Sequence, residues 1–148
     1  MAPLLTIEID TAAVLAALDR LGAVAEQHVK AAAKVTADNI VREARGRARR
    51  RTGETASHIV AEESHDQRGY IVWVRPDVRI SHHTMTRSGR GHTQKVTFNA
   101  LGGWLEFGTE TMTPKPFLFV SARLEESAHL RRVAEAVQAA IDETGLGQ

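Results

Sequence analysis

The stretch Gly102-Gly103-Trp104-Leu105-Glu106-Phe107-Gly108-Thr109, continued by Met112-Thr113-Pro114-Lys115-Pro116-Phe117-Leu118, decides how the chain is read. Gly108 follows an apolar run and permits a positive φ or a close backbone approach that a side chain would obstruct. Pro114 and Pro116 keep the backbone extended, since each fixes its own φ and moves the residue before it out of the α region. Phe117 and Leu118 are thereby delivered into the core just ahead of a helical pattern. If residues 104–107 form a further strand, Glu106 is turned away from Leu105 and Phe107, toward solvent or a subunit interface. A segment built this way fixes one end of the final helix against a sheet. That role is structural, and it is favoured over a ligand site.

Working downstream, residues 121–143 place Leu124, Ala128, Leu130, Val133, Val137 and Ile141 at helical spacing, with Gly145 as the C-cap. Upstream, residues 12–50 contain no proline. Val14, Leu18, Leu21, Ala25, Ala32 and Val35 recur in threes and fours, and Ile40, Val41, Ala44 and Ala48 continue the stripe. This predicts one amphipathic helix, or two collinear ones hinged at Gly22. Its length of roughly 55 Å exceeds the width of a small domain, so part of the stripe is expected to meet a neighbouring subunit. Arg42, Arg45, Arg47, Arg49, Arg50 and Arg51 crowd its end, with Thr52-Gly53 as the stop. The helix dipole accounts for two or three of these cations, not six. Before the helix, Leu4-Leu5-Thr6-Ile7-Glu8-Ile9 reads as a short strand, and Asp10 or Thr11 as an N-cap.

Two strands are expected at 56–63 and 69–75, joined by a polar hairpin loop at 64–69. Residues 78–99 differ in character: they hold Arg79, Arg87, Arg90, Lys95, His82, His83 and His92, and no acid. Ser88-Gly89-Arg90-Gly91 is their flexible centre. A segment of this length predicts an extended loop or β-hairpin arm. The whole reads as a single α+β domain over residues 1–148. Long N-terminal and C-terminal helices pack on a small antiparallel β-sheet, with an arm at about 78–99.

Composition narrows the chemistry. The 148 residues include 43% hydrophobic and 25% charged residues, enough for a packed core, but only 5% aromatics. Nineteen basic residues against 18 acidic ones give a net charge of +1, which disfavours a dedicated nucleic-acid binder. Cysteine is absent, which excludes disulfides, thiolate metal sites and thiol catalysis. Residues 1–10 lack the basic start and long apolar run of a secretory signal, and no segment is apolar enough to span a bilayer, so a soluble protein with no membrane partner is expected. His82, His83 and His92 share one segment, but adjacent histidines seldom aim at one metal and no carboxylate lies nearby. Glu62-Glu63 and Glu125-Glu126 are sequence neighbours that diverge in a strand or on a helix. No Gly-x-Ser-x-Gly elbow and no phosphate loop occurs. The expectation is no catalytic, metal or cofactor site, and no enzyme.

The motif Trp104-Leu105-Glu106-Phe107-Gly108-Thr109 … Met112-Thr113-Pro114-Lys115-Pro116-Phe117-Leu118, with Ala122 after it, resembles the signature of a family of phage proteins. These are the tail-completion, or head–tail joining, proteins typified by gene product ten of phage Hong Kong ninety-seven. Arg51-Thr52-Gly53 and Ile59 are similar to a second family element that follows the long first helix. The order of elements also agrees, over about residues 11–143. Thr55 and His58 stand where the family usually has Leu and Ser, a proline usual before Arg-Thr-Gly is missing, and the 78–99 segment is longer than typical.

The resemblance implies a structural virion protein of a long-tailed phage, located in the neck and present in host cytoplasm during assembly. It implies a homo-oligomeric ring, six-fold or a multiple, between the head connector or stopper and the tail terminator or tail tube. In that reading the fold-defining motif is Arg51, Thr52, Gly53, Trp104, Leu105, Glu106, Phe107, Gly108, Thr109, Pro114, Pro116, Phe117 and Leu118. The arm, with Arg79, His82, His83, Arg87, Arg90, His92 and Lys95, is the subunit or ring interface. Arg45, Arg49 and Arg50 face a channel through which DNA passes transiently. Two rivals stand beside it: a tail terminator ring capping the tail tube, and a nucleic-acid-binding module using the arginines at 42–51.

Overall fold

A computed structural model of the chain describes residues 12–48, 54–76, 79–85 and 88–145. The strand expected at 4–9 and the Arg51-Thr52-Gly53 turn lie outside the described residues. Helix α1 runs unbroken over Ala12–Arg47. Gly22 is no hinge: its helical conformation is tolerated at a modest entropic cost, and nothing lies within 4 Å of where a Cβ would project. A one-turn helix α2 (Glu54–Ser57) precedes β1 (Ile59–Glu63), so the first strand begins later than its sequence suggests. The Ser57 hydroxyl bonds back to the Glu54 carbonyl at 2.7 Å, a local side-chain bond that favours the turn over extended chain.

Strand β2 (Tyr70–Val74) pairs antiparallel with β1, from Ile59 opposite Val74 to Glu63 opposite Tyr70. The connecting turn is tied by Ser64, whose hydroxyl donates to Asp66 at 2.6 Å and accepts from the Gly69 amide at 3.0 Å. Gln67 takes the positive φ of 58° that closes it. Strands β3 (Arg79–Met85) and β4 (Gly91–Thr97) form a second, separate antiparallel pair, so the arm is a β-hairpin and the strands make two sheets rather than one.

Residues 104–107 are not a strand. Helix α3 covers Phe98–Phe107, following β4 directly, with the Thr97 hydroxyl capping it on the Ala100 amide. Alternation is absent from Phe98-Asn99-Ala100-Leu101-Gly102-Gly103-Trp104-Leu105-Glu106-Phe107. Its buried residues, Phe98, Gly102, Leu105 and Glu106, instead recur in threes and fours. Gly102 lets α3 lie against β2: a Cβ there would stand 2.9 Å from Val74 Cγ2. Helix α4 spans Leu118–Thr144, three residues earlier than its apolar spacing indicates, and ends on Gly145 at φ 72° and ψ 12°.

The core lies at the C-terminal end of α1. Ala44, Ala48, Ile59, Val74, Phe98, Leu105 and Phe117 are buried together there. The alanines let strand and helix approach α1 closely, and Phe98 and Phe117 fill the space this leaves, which is how so few aromatics suffice. His58 stacks on Phe98 with ring centroids 4.0 Å apart. Further along, α1 and α4 pack antiparallel. His28 meets Glu143 at 2.8 Å, Thr36 meets His129 at 3.0 Å and Asn39 meets Glu125 at 3.3 Å. Since α4 ends beside His28, the start of α1 extends beyond it by about 24 Å.

Candidate functional site

The segment 104–118 is a corner between two helices. Glu106 sits near the end of α3 and is only 7% exposed. Its Oε2 accepts the amides of Phe117 at 2.8 Å and Leu118 at 2.9 Å, and its Oε1 accepts that of Phe119 at 2.9 Å. These N–H groups open α4, where a helix leaves its first donors without intrahelical partners and concentrates partial positive charge. Glu106 therefore faces neither solvent nor an interface: it is the N-terminal cap of α4, supplied from another helix. The expectation failed with the strand assignment that produced it. Phe117 at the N-cap position has no side-chain capping bond of its own.

The rest of the motif delivers that carboxylate. Gly108 ends α3 at φ 78° and ψ −177°, donating its amide to Trp104. A Cβ on Gly108 would lie 2.6 Å from the Met112 carbonyl oxygen and 2.9 Å from Pro114 Cδ. The Thr109 hydroxyl accepts the Met112 amide at 3.1 Å, and the Lys115 amide returns to the Leu105 carbonyl at 2.7 Å. Phe117 is then 1% exposed in the core. Pro116 and Phe107 remain on the surface.

The arginine run divides. Arg45 lies against β1, where its Nε and Nη2 both donate to the Ile59 carbonyl, at 3.0 and 2.8 Å. It thus pins β1 to α1 while the side chain remains exposed. Arg42 donates to Asn39 at 2.9 Å, and Arg47 faces Glu43 at 3.8 Å. Arg49, Arg50 and Arg51 lie outside the described residues. Arg75, from the end of β2, joins Arg42 and Arg45 on the rim of a groove of about 840 Å³ between α1, α2 and β1. Val41, Ala56 and Val60 form its floor. Sequence reading missed this convergence, because Arg75 is thirty residues from Arg45 and only the β1–β2 pairing brings it back.

On the hairpin, Arg79, His82 and His83 belong to β3, and His92 and Lys95 to β4; Arg87 lies outside the described residues. The register sets His83 opposite Thr93 and Thr84 opposite His92. Among the described residues, no three His, Asp or Glu side chains are grouped to hold a metal. The base of the arm is not free of core residues, since Val96 is 7% exposed.

A second feature was not legible in the sequence. Thr36, Asn39, Glu125, His129 and Arg132 form a polar ladder in the α1–α4 seam. Arg132 Nη1 donates to the Thr36 hydroxyl at 3.0 Å and to Glu125 at 2.8 Å. The bond from Arg132, reinforced by Asn39, holds the Glu125 carboxyl below the usual glutamate range against the opposing effect of burial. Helix α4 exposes Phe119, Leu124 and Leu130, with Phe107 packed beside Phe119 at a centroid distance of 5.8 Å. Exposed apolar side chains are thus found on α4 as well as on α1, where Leu18 and Val35 are exposed.

Comparison with protein-family models, with curated proteins and with known structures finds no match to this chain. Among the described residues, no helix is long and apolar enough to cross a membrane.

Proposed function

We propose that this chain is a structural subunit of a tailed-phage neck, forming a ring that joins the head connector to the tail. The hairpin arm carries the reading. Its strands pair with each other over seven positions, from Arg79 opposite Thr97 to Met85 opposite Gly91. Its main packing on the rest of the chain is where β4 runs into α3. A basic two-stranded ribbon joined to the core at its base suits contact with another subunit better than catalysis. The resemblance of the 104–118 motif supports the same reading. Glu106, Gly108, Pro114 and Phe117 are used internally, as a fold-defining motif requires. Exposed apolar side chains on α4 supply surface for ring neighbours.

Removing residues 79–95 tests the proposal in a phage whose genome carries the gene. Val96, Thr97 and Phe98 remain, so the α3 cap and the core are kept. The expected result is a folded protein whose particles accumulate as separate heads and tails. Normal yields of joined, infectious particles would overturn it. Direct imaging of the neck layers with labelled protein separates a joining ring from a terminator cap.

A further inference from the structure

The groove between α1, α2 and β1 combines an apolar floor with a cationic rim. Arg45 is fixed there by Ile59, Arg75 by Glu62 at 2.9 Å and Arg42 by Asn39. Each guanidinium has five N–H groups, so each keeps donors for an incoming anion while already held in place. A nucleic-acid backbone fits poorly. The floor offers no aromatic platform for a base. An extended peptide with alternating apolar and acidic side chains fits both surfaces.

The chain contains such a segment outside the described residues, Leu4-Leu5-Thr6-Ile7-Glu8-Ile9-Asp10. When extended, it puts Leu5, Ile7 and Ile9 on one side and Glu8 and Asp10 on the other. We propose that residues 4–10 of one copy occupy this groove on a second copy. Ile7 and Ile9 rest on Val41, Ala56 and Val60, and the long arginine side chains close over Glu8 and Asp10.

The tether rules out docking within one copy. Helix α1 is continuous, so Asp38, the first groove residue on it, stands about 39 Å from Ala12 at 1.5 Å per residue. Leu4, even with the chain fully stretched, reaches about 28 Å back from Ala12. Docking therefore joins the N-terminal end of one α1 to the C-terminal half of another. Different patches meet on the two copies, and such head-to-tail contacts close into rings or continue as filaments. The inference rests on the self-association in the proposed function but not on its place in a neck, so the two fail separately.

Because the chain has no cysteine, introduced pairs report cleanly. One variant carries Ile9→Cys and a second, distinguishable by size, carries Ala56→Cys; both are checked for folding by circular dichroism and mixed under mild oxidation. The expected yield of the mixed disulfide is at least tenfold above an exposed control with Asp19→Cys. Adding Glu8→Lys and Asp10→Lys to the first variant abolishes the excess, and Arg42→Glu on the second restores part of it. A yield equal to the control overturns the proposal. So does a cross-link formed within a single chain carrying both cysteines at high dilution. Sedimentation of the cysteine-free chain gives an independent readout: Glu8→Lys with Asp10→Lys weakens self-association at least tenfold, and an unchanged constant, or a monomer throughout, overturns it. Salt-sensitive binding of a duplex oligonucleotide in place of the copy-to-copy cross-link would also overturn it, assigning the groove to phosphate.

Discussion

Replacing Glu106 by glutamine changes one oxygen to an amide and leaves shape and volume nearly intact. In the native protein two oxygens serve three donors: Oε2 takes the amides of Phe117 and Leu118, and Oε1 takes that of Phe119. In Glu106→Gln the remaining oxygen keeps the first two, as neutral bonds, and the new NH₂ confronts the Phe119 N–H, donor against donor. Hydrogen bonds to a charged group contribute about 1.5–3 kcal/mol each, neutral ones about 1 kcal/mol, and an unpaired buried donor costs about 1–3 kcal/mol. Discounting the Phe119 amide, which water can reach near the surface, the expected loss is about 2–3 kcal/mol. Glu106→Ala removes all three acceptors and leaves a cavity, for about 4 kcal/mol. Urea unfolding followed by circular dichroism measures both, and the glutamine variant should melt about 5–10 °C lower. A loss below about 0.5 kcal/mol for Glu106→Gln, the size of an ordinary surface change, would refute the capping argument.

Gly108→Ala forces a side chain into a glycine-only region of φ/ψ and against the Met112 carbonyl oxygen, so destabilisation of about 3–5 kcal/mol is expected in the same unfolding assay. Gly22→Ala, in an exposed helix interior with open space around it, should stabilise by about 0.5–1 kcal/mol, whereas a hinge at Gly22 would make it lose stability. Arg45→Lys replaces a two-pronged donor by a point charge and should cost about 1 kcal/mol, with faster amide exchange in β1. Glu125 titrates below its unfolded value of about 4.3, so its contribution is fully present above that pH and is lost as the pH falls through its folded value. A urea-midpoint profile of the wild type should fall more steeply below about pH 4.3 than that of Glu125→Gln.

The helices and the arm were legible because periodicity and proline placement act locally. Val14 to Ala48 mark α1 without reference to anything else, and β-branched Ile71, Val72 and Val74 mark β2. Glu106 was not legible, since its meaning depends on where α4 begins, and Leu105-Glu106-Phe107 suits a strand as readily as a helix. Only the pattern from Phe98 through Gly102 to Leu105, interrupted by two glycines, distinguishes them. The Arg42–Arg45–Arg75 rim and the Thr36–His129–Arg132 ladder join residues far apart in sequence, and neither register nor helix pairing is encoded in any one window. Arg45 shows the hazard of reading a charge run as a unit. Three arginines of the run lie within α1, and among them Arg45 is committed to a strand carbonyl.

The direct passage from β4 into α3, and from Glu106 to the first amides of α4, has a mechanical consequence. A pull on the hairpin enters the body at Thr97 and Phe98 and travels along α3. There it meets the start of α4 through three hydrogen bonds sharing one carboxylate, which must be broken nearly together and not one at a time. Beyond that corner α4 lies along α1, so the load becomes shear spread over the His28–Glu143, Thr36–His129 and Asn39–Glu125 contacts. The α1–α4 seam thus resists force applied to the arm by sliding friction along its length, with the Glu106 corner as its coupling.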